Sequence, residues 1–366
     1  MNAPNPVVQA DGPVAIFGGS YSNLEATRAF FSEAARLGFP PARIVCTGDV
    51  VAYGADAAAT VRLVRDAGCH VIMGNCEENL AAGAADCGCG FEEGSTCDRL
   101  SVAWFAHASG ELSATDRRWM AALPRRLELA IGRCRFAMVH GGVESINRFI
   151  FASTEAAVKI GELDTAGLNG VIGGHCGLPF TQAIGARLWH NAGAIGMPAN
   201  DGTPRGWYSI LRPQPDGIEI EHRALAYDHA TAAAKMRRAG LPEEYAAALG
   251  SGLWASPEAL PSQEIGAGGV ALTEGRVLWR PTPPPPDPVC RSLWPSPKPR
   301  HRREPAGTTA IGRPPDRGQT IPDGYSATTA GRSLVLPWRC ALRRSASRKA
   351  RSSDCSALSR GSHTVW

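Results

Sequence analysis

Residues 14–18, VAIFG, form an unbroken apolar run, the pattern of a short buried strand. From residue 23 to 37 the spacing changes. Leu24, Thr27, Ala29, Phe30, Ala34 and Leu37 recur with helical spacing, and Gly38 closes the segment. ARIVCTGD (42–49) reads as a second strand, 57–67 as a second helix and CHVIMGN (69–75) as a third strand. This alternation predicts an α/β fold with a parallel sheet, whose working residues gather at the carboxyl ends of the strands.

The second half differs in rhythm. RFAMVHGG (135–142), GVIGGHC (170–176), ARLWHNAG (186–193) and WYSILRP (207–213) are short strands that end in Gly, His, Asn or Pro. GIEIEHRAL (217–225) alternates and is expected at a sheet edge, and 228–250 is expected as two helices broken at Gly240-Leu241-Pro242. The opening residues 1–12 are polar and Pro-containing and are expected to be flexible. They lack the basic start and apolar run of a signal peptide. No stretch approaches the ~18 uninterrupted apolar residues of a membrane span, so a cytoplasmic protein with no membrane partner is the expectation.

Charge divides the chain. Residues 281–366 carry 15 Lys and Arg against 5 Asp and Glu, whereas the remainder carries 23 against 29. Fourteen of the 28 prolines also fall in that last segment. Such a composition buries too little apolar surface to fold, and a disordered tail is expected there, offering at most weak nucleic-acid contact through its basic residues. The predicted organisation is therefore a flexible 1–12, a folded domain 13–228, a helical extension 229–280 and a tail 281–366. The 11 cysteines, without a secretion signal, are expected as reduced thiols.

Four polar residues stand where strands hand over to loops: Asp49 in TGDVVAYG, Asn75 in MGNCEEN, His140 in MVHGG and His175 in GGHCG. One carboxylate, one amide oxygen and two imidazoles make a donor set for Mn, Fe or Zn. Taken singly, each also suits a turn, a helix cap or a hydrogen-bonded loop. Their order and spacing resemble the calcineurin-like metallophosphoesterases, over about residues 14–225. NLEAT (23–27) and NAGAIGMP (191–198) match blocks of that family's small bacterial branch. The resemblance implies a four-layer α/β/β/α sandwich and two metals that hydrolyse a phosphate mono- or diester through metal-activated water. Asp49 matches the bridging aspartate, and Asn75, His140 and His175 match the remaining ligands of the second metal.

The ligands private to the first metal do not match. The family's Asp-x-His falls on Gly19 and Tyr21, and the last His of its Gly-His-x-His falls on Gly177. A one-metal or rebuilt site is expected. Cys76 stands where the family has a phosphate-contacting His, and with His140 and Arg205 it is a candidate catalytic group. A Cys-rich insert, DCGCGFEEGSTCD (86–98), adds Cys87, Cys89 and Cys97. With Cys76 and Cys176 these thiols could supply a second, thiolate-bound metal or an iron–sulfur centre. A structural zinc clip or a metal-free loop fits the same spacing. Two functions remain open. One is a phosphoesterase acting on a small phosphorylated molecule or a phosphoprotein. The other is a non-hydrolytic protein that binds a phosphorylated ligand or senses a soft metal.

Overall fold

The computed structural model describes residues 5–281. In chain order its elements begin with β1 (Val7–Ala10), β2 (Val14–Phe17), α1 (Leu24–Arg36), β3 (Ile44–Cys46), α2 (Ala57–Asp66) and β4 (His70–Val71). Next come α3 (Asn75–Ala82), α4 (Thr96–Glu111), α5 (Ala114–Ala121), β5 (Arg126–Ile131), β6 (Cys134–Val139), α6 (Ala156–Ala166) and β7 (Gly170–Gly173). The series ends with β8 (Phe180–Ile184), β9 (Arg187–Asn191), β10 (Gly206–Gln214), β11 (Gly217–Leu225), α7 (His229–Arg238), α8 (Glu243–Ser251), α9 (Ser262–Ala267) and β12 (Gly275–Trp279). No helix among the described residues is long and apolar enough to cross a membrane.

The strands form two six-stranded sheets, β1-β5-β6-β7-β9-β8 and β12-β11-β10-β2-β3-β4. Their facing sides share a core that includes Ile16, Val45, Leu129, Phe136, Met138 and Leu211. Helices α1, α2, α4, α7 and α8 contribute residues to a core on the outer side of the second sheet. Helix α6 covers the outer side of the first through Leu163 and Ala166. The result is the expected α/β/β/α sandwich. Helix α1 shows how local sequence builds it. The Asn23 side chain accepts from Ala26 N and caps the first turn. Leu24, Thr27, Phe30 and Ala34 form one buried face, and Phe30 meets Phe17 with ring centroids 4.3 Å apart. Burying a side chain of that size stabilises by about 1.5–3 kcal/mol.

The parallel run β2-β3-β4 matches expectation, and α7 and α8 separate across Gly240–Pro242 as predicted. Several expectations are corrected. Residues 7–10 are not flexible: β1 pairs in parallel with β5, because Val8 and Ala10 are buried. β11 is not an edge, since β12 pairs along it from more than fifty residues downstream. The extension 229–280 is therefore helical only as far as α9. The insert 86–98 is not one continuous loop, because Ser95 caps α4 and draws Cys97 into the helix. The tail 281–366 lies, but for its first residue, outside the described residues.

A buried polar chain ties the sheets together. The Thr181 hydroxyl lies 2.9 Å from His190 Nδ1 and 2.8 Å from His222 Nε2, and His190 Nε2 lies 2.8 Å from Ser209 Oγ. Burial holds both imidazoles neutral, pushing His222 down to about 4 and His190 well below its usual value. On acidification the unfolded chain takes up these protons first. The contribution is full above about pH 6.5 and is lost as pH falls toward about 4. At about 1.4 kcal/mol per unit, His222 accounts for up to roughly 3 kcal/mol. Urea titrations at several pH values should show a shallower acid-side loss of stability for His222→Gln than for the wild type. Parallel curves would exclude this origin.

Candidate metal centre

Both sheets deliver loops to the same end of the sandwich. From one sheet come the segment after β2 (Gly18–Ser22), the segment after β3 (Thr47–Val51) and the start of α3. From the other come the residues after β6 and β7. Backbone bonds stitch the loops together: Gly19 N donates to Gly48 O (3.1 Å), Tyr21 N to Asp49 O (3.1 Å) and Ile195 N to Gly18 O (3.0 Å).

Asp49, Asn75, His140 and His175 meet there, all buried. Asp49, His140 and His175 offer ligand atoms within 4.8 Å of one another. His140 Nδ1 lies 2.7 Å from the Thr47 carbonyl, which can only accept, so Nδ1 carries a proton. Its other nitrogen, Nε2, then faces Asp49 Oδ2 at 3.2 Å, Asn75 Oδ1 at 3.1 Å and His175 Nδ1 at 3.0 Å. The Asn75 amide is oriented independently, because Nδ2 donates to Cys87 O at 2.9 Å. Burial, and then repulsion from His140, push His175 down to about 3, so it stays neutral with a free lone pair. Burial alone would raise the Asp49 carboxyl, but the neighbouring imidazoles outweigh it and hold it below the usual range. Burial opposes protonation of His140, yet the Asp49 carboxylate draws its pKa upward. Two oxygens and two nitrogens thus turn toward a common centre, a set that fits a divalent cation.

The centre is buttressed by a residue absent from the sequence-based candidates. Glu77 is fully buried. Its Oε2 accepts from Asp49 N (2.8 Å) and Gly74 N (2.9 Å), and Oε1 accepts from Val51 N (3.2 Å). Burial and the nearby Asp49 charge push it up to about 7. It sits three residues after Gly74, the capping-box position of α3, which was the available signal. Gly74 must be glycine, because a Cβ there would stand 2.2 Å from Asp49 Oδ1. Asp49 itself adopts a left-handed backbone (φ 53°), as do Tyr21, Ser22 and Tyr53 beside it. Each such residue stores about 1–3 kcal/mol of strain, and strain of this kind gathers at functional sites.

A cavity opens over the centre. Asp49, His175 and Cys176 reach it among mainly aromatic and small neighbours, including Tyr21, Tyr53, Phe149 and Trp254. The structure does not bring Arg205 there. Its guanidinium is tied to Asp201 (3.2 Å) and the Leu272 carbonyl (3.0 Å), and it lies over Trp207. The buried Asp201 carboxylate claims that charge, so Arg205 is corrected from phosphate holder to loop clamp.

Cys76 stands beside the centre, with its N–H 3.3 Å from Asp49 Oδ1. Its thiol is buried and is pushed well above its usual pKa by burial and then by the Asp49 charge, so it remains protonated. Cys87 and Cys89 form a disulfide, correcting the expectation of free thiols for this pair; Gly88, at φ 58°, turns the chain so that the sulfurs meet. Cys97 and Cys176 are free, and both line the cavity. Cys176 is pushed up to about 12 by burial. Among the described residues no cysteine joins the Asp49–His140–His175 group.

Removing the buttress should be felt at the centre. Outer contacts of this kind are worth about 10–100-fold in metal affinity. Glu77→Gln replaces an acceptor with a donor facing backbone N–H groups, and should weaken Mn2+ binding by that factor in calorimetric titration. An unchanged Kd would mean that Asp49 keeps its place without Glu77.

Comparison with known proteins agrees with this geometry. The calcineurin-like phosphoesterase superfamily domain matches residues 14–212, more than half of the chain. An uncharacterized protein of Methanocaldococcus jannaschii is 23% identical over 248 residues, covering 63% of this chain and 94% of its own. A metallophosphoesterase structure from Sphaerobacter thermophilus has a TM-score of 0.53 at 24% identity, covering 67% of this chain and 100% of its own. A hypothetical protein from Pyrococcus horikoshii has a TM-score of 0.57 at 16% identity, covering 66% of this chain and 99% of its own. These likenesses extend to the fold. The chain belongs to the calcineurin-like phosphoesterase superfamily.

Proposed function

We propose that this chain hydrolyses a phosphate mono- or diester at one divalent-metal position held by Asp49, Asn75, His140 and His175. The observation that carries the reading is the buried convergence of their lone pairs on one centre at the wall of a cavity. Family membership suggests metal-dependent phosphoester hydrolysis, and the donor set suits Mn, Fe or Zn. When bound, such an ion supplies Lewis acidity toward a phosphoryl oxygen and lowers the pKa of water.

The chain's own residues do the remainder. Thr47 fixes the tautomer of His140, and Cys87 O fixes the Asn75 amide. The Glu77 carboxylate holds the Asp49 loop in its strained conformation. The apolar walls limit water and favour a small phosphorylated molecule over a phosphoprotein segment. Cys76, as a neutral thiol, offers at most a weak hydrogen bond. Gly19, Tyr21 and Gly177 supply none of the family's usual ligands, so the first metal position is altered.

That replacement also favours a second reading, a non-hydrolytic protein that binds a phosphorylated ligand or senses a soft metal. A thiolate-bound metal or iron–sulfur centre that used Cys87 or Cys89 would require reduction of their disulfide first, which places it behind the phosphoesterase reading. An assay of the full chain with added Mn2+ on an aryl phosphate and a bis-aryl phosphate separates the two. Turnover is expected, and His140→Ala should lower it at least about 1000-fold together with metal affinity. Tight metal binding without turnover of either ester would move the assignment to the second reading.

A further inference from the structure

The three positions that depart from the family's first-metal pattern are far apart in sequence but meet in space. A Cβ on Gly19 would stand 2.5 Å from both Cε2 and Cζ of Tyr21, and a Cβ on Gly177 would stand 3.3 Å from Tyr21 Oη. The phenol ring therefore lies along Gly19, and its hydroxyl reaches Gly177. A carboxylate side chain at position 19 cannot coexist with that ring. The two glycines provide the room that the tyrosine needs, so the three changes are one packing solution.

The ring is held firmly. Tyr21 adopts φ 52°, an uncommon state for a bulky residue, and Ser22 follows at φ 55°. Tyr21 N donates to Asp49 O at 3.1 Å, Tyr21 O accepts from Gly54 N at 3.0 Å, and Ser22 N donates to Val50 O at 2.9 Å. Tyr53 packs edge-on against the ring with centroids 4.9 Å apart. The phenol shares the cavity with Asp49 and His175. Backbone strain of this kind gathers at functional sites.

We propose that the Tyr21 phenol takes the place of the family's first metal, and that its hydroxyl donates a hydrogen bond to a phosphoryl oxygen of the bound ester. The proposal rests on the one-metal reading above. A phenol brings a directed donor but no positive charge, so it orients and stabilises one oxygen without a second cation. Removing a preorganised donor of this type costs about 100–1000-fold in kcat. Tyr21 is then a catalytic residue, and Gly19 and Gly177 are the space it occupies.

The test combines metal counting with kinetics on the full chain. After equilibration with Mn2+ and gel filtration, elemental analysis should find about one metal per chain in wild type and in Tyr21→Phe. The combined variant Gly19→Asp, Tyr21→His, Gly177→His should bind about two. Tyr21→Phe should lower kcat on the aryl phosphate by about 100-fold with KM and metal content little changed. Two metals in wild type, or one in the folded combined variant, would overturn the placement of the phenol. Unaltered kcat in Tyr21→Phe would overturn its role as donor. A wild type that binds one metal but hydrolyses nothing would defeat the phosphoesterase reading and the donor role with it, while the metal counts still decide where Tyr21 sits. Should the combined variant fail to fold, the wild-type count and the Tyr21→Phe kinetics decide the matter.

Discussion

Four unshared electron pairs buried around one point are the constraint on which this site depends. Oxygens from Asp49 and Asn75 and nitrogens from His140 and His175 turn inward together. His140 is fixed from behind by the Thr47 carbonyl and Asn75 by the Cys87 carbonyl, and Asp49 accepts from Cys76 N. Without positive charge at their centre such acceptors repel one another in a medium that screens poorly. A proton on His140 relieves part of this, whereas a divalent cation satisfies all four. The strained Asp49 backbone, the Glu77 cradle and the close approach of Gly74 all keep that arrangement from relaxing.

That Asp49, Asn75, His140 and His175 would come together was legible in the sequence because each follows a strand next to glycine, where an α/β sheet presents its working residues. The central strands and helix α1 were legible for the same reason: their signals are local. What escaped depends on distant partners. Strands β1 and β12 owe their structure to β5 and β11, and neither carries a strong alternation of its own. Glu77 could be read only as a helix-start residue, since its role comes from three backbone N–H groups, two of them on the Asp49 loop. Arg205 misled because a loop arginine near a pocket sequence looks available, yet the buried Asp201 four residues earlier neutralises it. The cysteines misled in part: proximity in sequence drew Cys87 and Cys89 to each other and not to the centre.

The replaced positions give the site its individuality. Gly19, Tyr21 and Gly177 read in sequence as one change to a one-metal or rebuilt site, and in space the two glycines lie against the Tyr21 ring and hydroxyl. The cavity above is largely apolar, with Tyr53, Phe149 and Trp254 among its lining residues. On the one-metal reading proposed above, such a site would have to compensate with fixed donors and exclusion of water.

Anomalous diffraction at the manganese edge, on crystals of the full chain equilibrated with Mn2+, would locate the bound cation. One strong peak is expected in contact with Asp49, Asn75, His140 and His175, and none between Asp49 and Tyr21. No peak at the four residues, or a second peak beside Tyr21, would contradict the one-metal reading.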